Sequence, residues 1–252
     1  MSVAVIILAG ARNKGPLKKV SPTEHEALIE IGELPMVEYV IRAANKAKLT
    51  GKVVVVGPVK ELEEKLQEKT DYILNSGRSI RDNLNKGMEA LGKQDYVLLM
   101  SSDIPLVTAD IIDDFISTCL KDNEADVYYP IIPREENKAK YPSVKRTYFR
   151  LLEGVFTGGN MVLINPSILQ GAADTLDKAF SLRKKPWKLS QLLGMKFILK
   201  FVIRHLSISE IEERVRKITG YRGHFMITQY PEIGFDVDKP SDLMLIRDKY
   251  IL

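Results

Sequence analysis

The sequence of 252 residues is poor in the side chains that most often carry nucleophilic or metal chemistry, with one cysteine and three histidines. A single thiol has no partner within the chain, so Cys119 excludes an intramolecular disulfide, and we interpret it as a small core residue. His25, His205 and His224 are scattered, and no HExxH or GxSxG motif surrounds them. The sequence therefore provides neither a zinc-protease signature nor a serine-hydrolase signature.

A strong excess of one charge and a long apolar run are also lacking. The formal net charge is +4, and Lys and Arg are spread along the chain, which favours an anionic small molecule over a nucleic acid as partner. No basic segment precedes the first apolar run, so we expect a cytoplasmic protein. Hydrophobic residues make up 45% and charged residues 28%, as in ordinary globular domains. We predict a single domain over 1–252.

Short runs rich in Val, Ile and Tyr alternate with longer amphipathic segments in the first half of the chain. This alternation is typical of βαβ units around a mostly parallel sheet with helices on both faces, an α/β fold of Rossmann-like type. The predicted strands are 3–8, 52–56, 72–74, 96–100 and 126–131. The predicted helices between them are 36–48, 59–69, 79–91 and 108–121.

The second half of the chain is less regular after Pro133. We predict a charged loop at 134–145, strands at 144–152 and 161–164, and a helical insertion at 186–219 made of two helices, 187–206 and 207–218. Ser207 and Glu210 have the spacing of a capping box at the start of the second helix. Strands at 225–228 and 233–237 and a last helix beginning at Lys239 complete the prediction.

A glycine-containing basic turn, Leu8-Ala9-Gly10-Ala11-Arg12-Asn13-Lys14-Gly15-Pro16-Leu17-Lys18-Lys19, follows the first strand. Backbone N–H groups in such a turn can approach phosphates closely, and four cationic side chains can neutralise a triphosphate. Pro16 and Leu17 stand where a P-loop has Lys and Ser or Thr, and GxGxxG is absent. The turn alone is consistent with a phosphate-binding loop or with a basic surface loop.

Carboxylates follow two of the predicted strands. Asp103 comes shortly after the run 96–100, and ligands in parallel α/β sheets bind outside the carboxyl ends of the strands, so Asp103 is a candidate Mg²⁺ ligand. Asp236 and Asp238 alternate along 233–237 and would point to one face, where one of them could join Asp103. Helix capping is the alternative role for Asp103 and for Asp238.

Taken together and in order, these segments resemble the MobA-like NTP transferase superfamily. The matching stretches are Ile7-Leu8-Ala9-Gly10, Ala27-Leu28-Ile29-Glu30-Ile31 followed by Pro35-Met36-Val37-Glu38-Tyr39-Val40, Asp103-Ile104-Pro105, Thr157-Gly158-Gly159-Asn160 and Asp236-Val237-Asp238-Lys239-Pro240-Ser241-Asp242-Leu243. The resemblance implies one GT-A-like domain, with a nucleotide-binding half at 1–132 and an acceptor-binding half at 133–252. It also implies Mg²⁺-dependent transfer of NMP from an NTP to a phosphorylated acceptor.

Site residues follow from the same resemblance. Nucleotide-binding residues would be Leu8, Ala9, Gly10, Ala11, Gly77 and Asn83, and acceptor-binding residues Gly159 and Asn160. Arg12 and Asp103 would be catalytic, and Asp103, Asp238 and Asp236 would supply the metal ligands. Relatives usually have Gly where Ala11 stands and Lys where Glu26 stands, so we expect Lys18 or Lys19 to provide the missing cation.

Two other functions remain open at this stage. A glycosyltransferase of similar fold that uses a nucleotide sugar would also place an Asp after a central strand, although Ser101-Ser102-Asp103 lacks the usual Asp-x-Asp. A nucleotide-binding protein without turnover is the second alternative. It is considered because Glu26 stands where relatives usually have Lys.

The segment 187–204 combines Lys188, Lys196 and Lys200 with Trp187, Phe197 and Phe201. This composition is consistent with peripheral contact with a membrane. A core-facing helix or a helix that forms a homodimer is the favoured alternative.

Overall fold

A central mixed sheet organises the part of the chain that the structure, a computed structural model, describes, namely residues 2–66, 69–122, 124–171 and 194–251. Within these residues the sheet has nine strands, and β2 and β3 form a separate hairpin. The strands are β1 (Val3–Leu8), β2 (Glu30–Ile31), β3 (Leu34–Pro35), β4 (Thr50–Gly57), β5 (Tyr72–Asn75), β6 (Val97–Ser101), β7 (Val127–Pro133), β8 (Phe149–Leu151), β9 (Gly154–Gly158), β10 (Met161–Ile164) and β11 (Gly223–Ile227).

Helices connect these strands and cover the sheet. They are α1 (Met36–Lys46), α2 (Val59–Leu66), α3 (Ile80–Leu91), α4 (Ala109–Asp122), α5 (Arg134–Lys140), α6 (Ile168–Gly171), α7 (Met195–Val202), α8 (Ile208–Thr219) and α9 (Pro240–Ile251). Short 3-10 turns lie at Pro16–Lys19, Glu26–Leu28 and Pro231–Gly234.

Hydrogen-bonded neighbours follow the path β5-β4-β1-β6-β10-β7-β9-β8, in which β10 and β9 pair with successive parts of β7, and β11 also pairs with β7. Strand β1 is parallel to β4 and β6, and β11 is parallel to β7, whereas β10 is antiparallel to both β6 and β7. Strand β9 is antiparallel to β7 and β8, so β9 and β10 run against the direction shared by the other described strands of the central sheet. The predicted α/β domain with a mostly parallel sheet is confirmed.

Strand β1 is buried on both faces because apolar residues fill every position of Val3–Leu8. Val3, Val5 and Ile7 pack in one core with side chains of α1 and α4, while Ala4 and Ile6 pack in another with side chains of α3. Alternate residues of a strand point to opposite faces, so one continuous apolar run serves both cores. Helices therefore cover both faces of the sheet, as predicted.

Two predictions in the second half are wrong. The predicted loop at 134–145 begins with α5, whose acidic first turn and basic last turn suit the helix dipole. Among the described residues, 233–237 contains no strand: Pro231–Gly234 is a 3-10 turn, and 235–238 has no regular secondary structure. The alternation at Asp236 and Asp238 belongs to a loop.

The described part of the predicted helical insertion contains two helices. Residues 186–193 lie outside the described residues, and of the predicted helix 187–206 only α7 (Met195–Val202) is helical, followed by α8. The Ser207 side chain accepts a hydrogen bond from the Glu210 amide at 3.2 Å, and Glu210 accepts one from the Ser207 amide at 3.2 Å, which is the predicted capping box.

Of the predicted strand 144–152, β8 keeps only Phe149–Leu151. None of the described helices is both long and apolar enough to span a membrane.

Cys119 of α4 is buried with its Sγ 3.7 Å from the Met226 Sδ, and burial raises the pKa of the thiol to about 12. Because only the thiolate reacts, we expect a thiol reagent such as DTNB at pH 8 to label the native protein at least about a hundredfold more slowly than the urea-unfolded chain. Absorbance of the released thiolate measures both rates. Equal rates would contradict the burial of this side chain.

Candidate functional site

The carboxyl ends of β1 and β6 lie side by side and define one edge of the sheet. Leu8 and Ser101 are paired residues in the parallel register, and the Ser102 amide donates to the Leu8 carbonyl at 3.2 Å. The basic turn after β1 and the Asp103 segment after β6 therefore leave the sheet at the same place. This is the edge at which open parallel sheets bind ligands.

Three carboxylates meet at this edge. Asp103, Asp236 and Asp238 each place an oxygen within 4.8 Å of the others. The Val237 amide donates to the Asp103 carbonyl at 3.0 Å, and this bond holds the two segments together. The structure thus brings together the three aspartates that the sequence analysis named as metal ligands.

The ionised forms of Asp103 and Asp236 are destabilised by burial and by their neighbours' negative charge. Burial raises the pKa of Asp103, a side-chain hydrogen bond with Ser101 lowers it, and the charge of Asp238 raises it further. Burial raises the pKa of Asp236 to about 7 against the lowering effect of Arg146, and Asp238 raises it again. A nearby positive charge would stabilise the ionised forms of both side chains.

Asp103 Oδ1 supplies a more direct indication of a missing partner. This oxygen is buried, and no hydrogen-bond donor reaches it within the described part of the chain. Buried polar atoms are nearly always paired, so an orphan acceptor among three carboxylates fits a cation ligand. Carboxylate oxygens are the donors that hard divalent cations prefer.

Arg146 is the counter-charge that the sequence analysis missed. Its Nη1 donates to Asp236 Oδ1, its Nη2 donates to the Asp236 carbonyl at 2.8 Å, and its Cζ lies 4.9 Å from the centre of the Phe235 ring. Only 9% of the Arg146 side chain is exposed. The guanidinium therefore fixes Asp236 from the side chain and the backbone at once.

Glu26 adds a fourth acidic group to the neighbourhood. Burial raises the pKa of Glu26, and the charges of Asp103 and Asp238 raise it further, so this carboxyl lies near both. The Glu26 amide donates to the Ala11 carbonyl at 3.0 Å, which joins the turn Glu26–Leu28 to the basic loop. The departure from the family pattern noted in the sequence thus lies within the site.

Internal hydrogen bonds hold the basic loop after β1 in shape. The Asn13 amide donates to the Glu24 carbonyl at 2.8 Å, and the Asn13 side chain donates to the carbonyls of Ser21 at 3.2 Å and Thr23 at 3.1 Å. Arg12 pairs with Glu24 at 3.0 Å while remaining largely exposed. The loop is thus shaped by its own backbone and by Asn13.

Lys18 and Lys19 lie on the 3-10 turn of this loop. Lys18 Nζ donates to the carbonyls of Pro22 at 2.7 Å and Thr23 at 3.2 Å, whereas the Lys19 side chain is exposed. Of the two candidate cations, Lys18 therefore already has acceptors on its own loop.

The predicted nucleotide-binding glycines occupy two neighbouring loops. A Cβ on Gly10 would lie 2.2 Å from the Ser76 Oγ, so the loops after β1 and β5 touch here and any larger residue would displace the Ser76 side chain. The Gly77 amide donates to Asn83 Oδ1 at 2.5 Å, which joins the β5 loop to the first turn of α3. Gly10, Gly77 and Asn83 therefore belong to one contiguous surface, while Leu8 and Ala9 lie at its base on the end of β1.

Gly159 and Asn160 form a two-residue bulge between β9 and β10. Both strands follow the same side of β7, but the pairing moves from Ile131 with Gly158 to Tyr128 with Leu163. The Asn160 amide donates to the Ile233 carbonyl at 2.8 Å, and the Asn160 carbonyl accepts from the Ser101 amide at 3.0 Å. The bulge thus ties β6 to the segment that leads to Asp236.

Asp238 does not cap the last helix. The amides of Asp238 and Lys239 donate to Asp242 Oδ2 at 3.3 and 3.2 Å, so Asp242 satisfies the start of α9. The Asp238 side chain remains exposed beside Asp103.

Comparisons with known proteins agree with this geometry. The family model described as the MobA-like NTP transferase domain matches residues 5–185, so the chain belongs to this family. A solved structure described as a hypothetical transferase from Thermus thermophilus is 33% identical, covers 96% of this chain and 100% of its own, and has a TM-score of 0.83.

Two curated relatives match shorter regions. The bifunctional protein GlmU of Acetivibrio thermocellus is 32% identical over 46% of this chain and 24% of its own length. A 2-C-methyl-D-erythritol 4-phosphate cytidylyltransferase of Clostridium perfringens is 26% identical over 45% of this chain and 52% of its own length. The matched regions thus span about half or less of these relatives.

Replacing Arg146 with Ala would leave three neighbouring carboxylates without their counter-charge. Breaking a buried ion pair on one side is expected to lower the free energy of unfolding by about 3 kcal/mol, measured by urea denaturation at pH 7. Arg134→Ala, which removes an exposed pair with Glu135, is the matched control and should cost at most about 1 kcal/mol. Equal losses in the two variants would contradict the role assigned to Arg146.

Proposed function

We propose that this chain is a Mg²⁺-dependent nucleotidyltransferase that moves an NMP unit from an NTP to a phosphorylated small-molecule acceptor. The observation that carries the proposal is the meeting of Asp103, Asp236 and Asp238 beside the basic Gly10 loop at the carboxyl edge of the sheet. Membership of the MobA-like NTP transferase family supports the same reaction class.

The reaction needs little covalent participation by the protein. An oxygen of the ionised acceptor phosphate donates its electron pair to the α-phosphorus, and a new P–O bond forms. The bond between the α-phosphorus and the oxygen bridging to the β-phosphate breaks, and pyrophosphate leaves with that electron pair. Positioning and charge stabilisation then account for catalysis, and no general base is required.

Asp103 and Asp238, with Asp236, would hold Mg²⁺. The unpartnered Asp103 Oδ1 and the all-oxygen donor set support this assignment. A bound Mg²⁺ would offset negative charge on the phosphates. Because Arg146 already holds Asp236, Asp103 and Asp238 are the two carboxylates with more freedom to serve as ligands.

The remaining roles fall to loops around the carboxylates. Backbone amides from Gly10 to Arg12 would hold the phosphates, and Arg12 with Lys18 or Lys19 would stabilise the leaving pyrophosphate. Gly77 and Asn83 would lie against the base or ribose, and Gly159 and Asn160 against the acceptor. The cytidylyltransferase relative makes CTP the first nucleotide to test.

One observation favours a second candidate, a nucleotide-binding protein without turnover. Glu26 lies near Asp103 and Asp238, and a carboxylate there repels a triphosphate instead of attracting it. Tight NTP binding with no pyrophosphate release in the presence of varied acceptors would support this alternative.

Asp103→Asn tests the proposed metal and reaction together. We expect pyrophosphate release to fall by about 10²-fold or more, and Mn²⁺ affinity measured by electron paramagnetic resonance to fall with it. Asp110→Asn, which changes an exposed carboxylate of α4, should leave both unchanged. Full pyrophosphate release by the Asp103 variant would contradict the proposal.

A panel of CTP, UTP, ATP and GTP against sugar, polyol and lipid phosphates would identify the substrates. With the best pair, we expect the Lys18→Ala/Lys19→Ala double variant to lower kcat by about tenfold or more, because the leaving group loses its cations. Lys60→Ala on α2 is the exposed control. An unchanged kcat in the double variant would remove these lysines from the mechanism.

A further inference from the structure

Glu232 is a buried carboxylate that the proposed reaction does not use. It lies on the 3-10 turn Pro231–Gly234, and its side chain is only 4% exposed. The Tyr141 hydroxyl donates to Glu232 Oε1 at 2.9 Å, and Lys140 forms an ion pair with the same oxygen. A buried carboxylate is costly unless hydrogen bonds and a counter-charge compensate it, so these two partners allow the turn to hold Glu232.

Both partners of Glu232 come from the end of α5. Lys140 is the last residue of this helix, and Tyr141 follows it directly. The Tyr141 amide donates to the Asn137 carbonyl at 2.8 Å, so the helix fixes the position of Tyr141. Glu232 therefore attaches its turn to a residue that lies 91 positions earlier in the chain.

The turn Pro231–Gly234 is joined to both halves of the proposed site. The Ile233 carbonyl accepts from the Asn160 amide at 2.8 Å, which links the turn to the bulge that would meet the acceptor. Just beyond the turn, the Val237 amide donates to the Asp103 carbonyl at 3.0 Å. A shift of the turn would therefore displace the bulge and the segment that carries the metal-binding aspartates.

A second link to the site runs through the buried ring of Phe235. The centre of this ring lies 4.8 Å from the centre of the Tyr141 ring in an edge-to-face contact, and Arg146 Cζ lies 4.9 Å from it on the ring face. Arg146 in turn donates to the Asp236 carbonyl at 2.8 Å. Tyr141 thus holds Glu232 with its hydroxyl and supports the counter-charge of the site, through Phe235, with its ring.

We propose that Glu232 is a positioning residue for nucleotidyl transfer: its bond with Tyr141 sets the spacing between the acceptor bulge and the three aspartates. The inference rests on the proposed function for the identity of the site, whereas the geometry that Glu232 holds is a property of the chain alone. An apolar side chain would be less costly to bury at this position. A carboxylate bonded to one hydroxyl and one cation instead gives the turn a single orientation.

Hydrogen exchange followed by NMR tests the positioning without metal or nucleotide. Tyr141→Phe removes the hydroxyl and keeps the ring, and we expect the Asn160 and Val237 amides to exchange about tenfold faster or more, because the turn opens more often. Tyr96→Phe is the matched control, since the buried Tyr96 hydroxyl donates to the Ala125 carbonyl at 2.8 Å beside the amino end of β6. It should destabilise the chain to a similar extent and leave the two amides unchanged.

Mn²⁺ binding, measured by electron paramagnetic resonance, tests the consequence for the metal site. We expect Tyr141→Phe and Glu232→Ala to weaken Mn²⁺ binding by about tenfold, because the aspartates are no longer held in place. Glu232→Gln should recover most of the affinity, since its amide oxygen can still accept from the Tyr141 hydroxyl. Tyr96→Phe should bind Mn²⁺ like the unmodified chain.

Unchanged exchange of the Asn160 and Val237 amides in the Tyr141 variant would overturn the proposal. Equal acceleration in the Tyr96 variant would also overturn it, because Glu232 would then contribute only to overall stability. Equally weak Mn²⁺ binding by Glu232→Gln and Glu232→Ala would do the same. If the unmodified chain bound no Mn²⁺ or released no pyrophosphate, the proposed function would fail, while the exchange comparison would still decide whether Glu232 holds the turn.

Discussion

Repulsion among three aspartates within 4.8 Å of one another is the constraint on which the site depends. Two features of the chain hold the aspartates together despite this repulsion. The backbone bond from Val237 to the Asp103 carbonyl holds the segments together regardless of side-chain charge. Arg146 then compensates Asp236, while Asp103 Oδ1 remains unpaired within the described structure. The result is a rigid site that is incompletely neutralised by its own side chains and therefore suited to a cationic ligand.

Local sequence was sufficient for the elements whose signals are local. An apolar run followed by a polar residue located the end of β6 and Asp103, and the Ser207–Glu210 spacing located the start of α8. The sequence did not predict the role of Arg146, because its partner Asp236 is 90 residues away and no motif surrounds it. The segment 233–237 was assigned to a strand because its residues alternate, but alternation also occurs in loops, and whether a strand partner exists depends on the tertiary fold.

Glu26 shows why family membership leaves the chemistry of one member open. The charges of Asp103 and Asp238 raise the pKa of Glu26 in addition to its burial, so Glu26 adds negative charge near a site that would bind polyanions. The same loop carries Arg12, Lys14, Lys18 and Lys19, so positive charge is retained nearby on different side chains. The electrostatic balance of the site thus depends on several charged side chains of this loop and not on position 26 alone.

The bulge at Gly159 and Asn160 has a consequence for how this half of the molecule can diverge in sequence. Its links to β6, Pro130 and Ile233 are all made by main-chain atoms, so side-chain substitution does not remove them. The bulge restricts side-chain size at position 159, because a Cβ on Gly159 would lie 2.6 Å from the Ile233 side chain. Side chains around the bulge can therefore change while the main-chain links that position the Asp103 and Asp236 segments are kept.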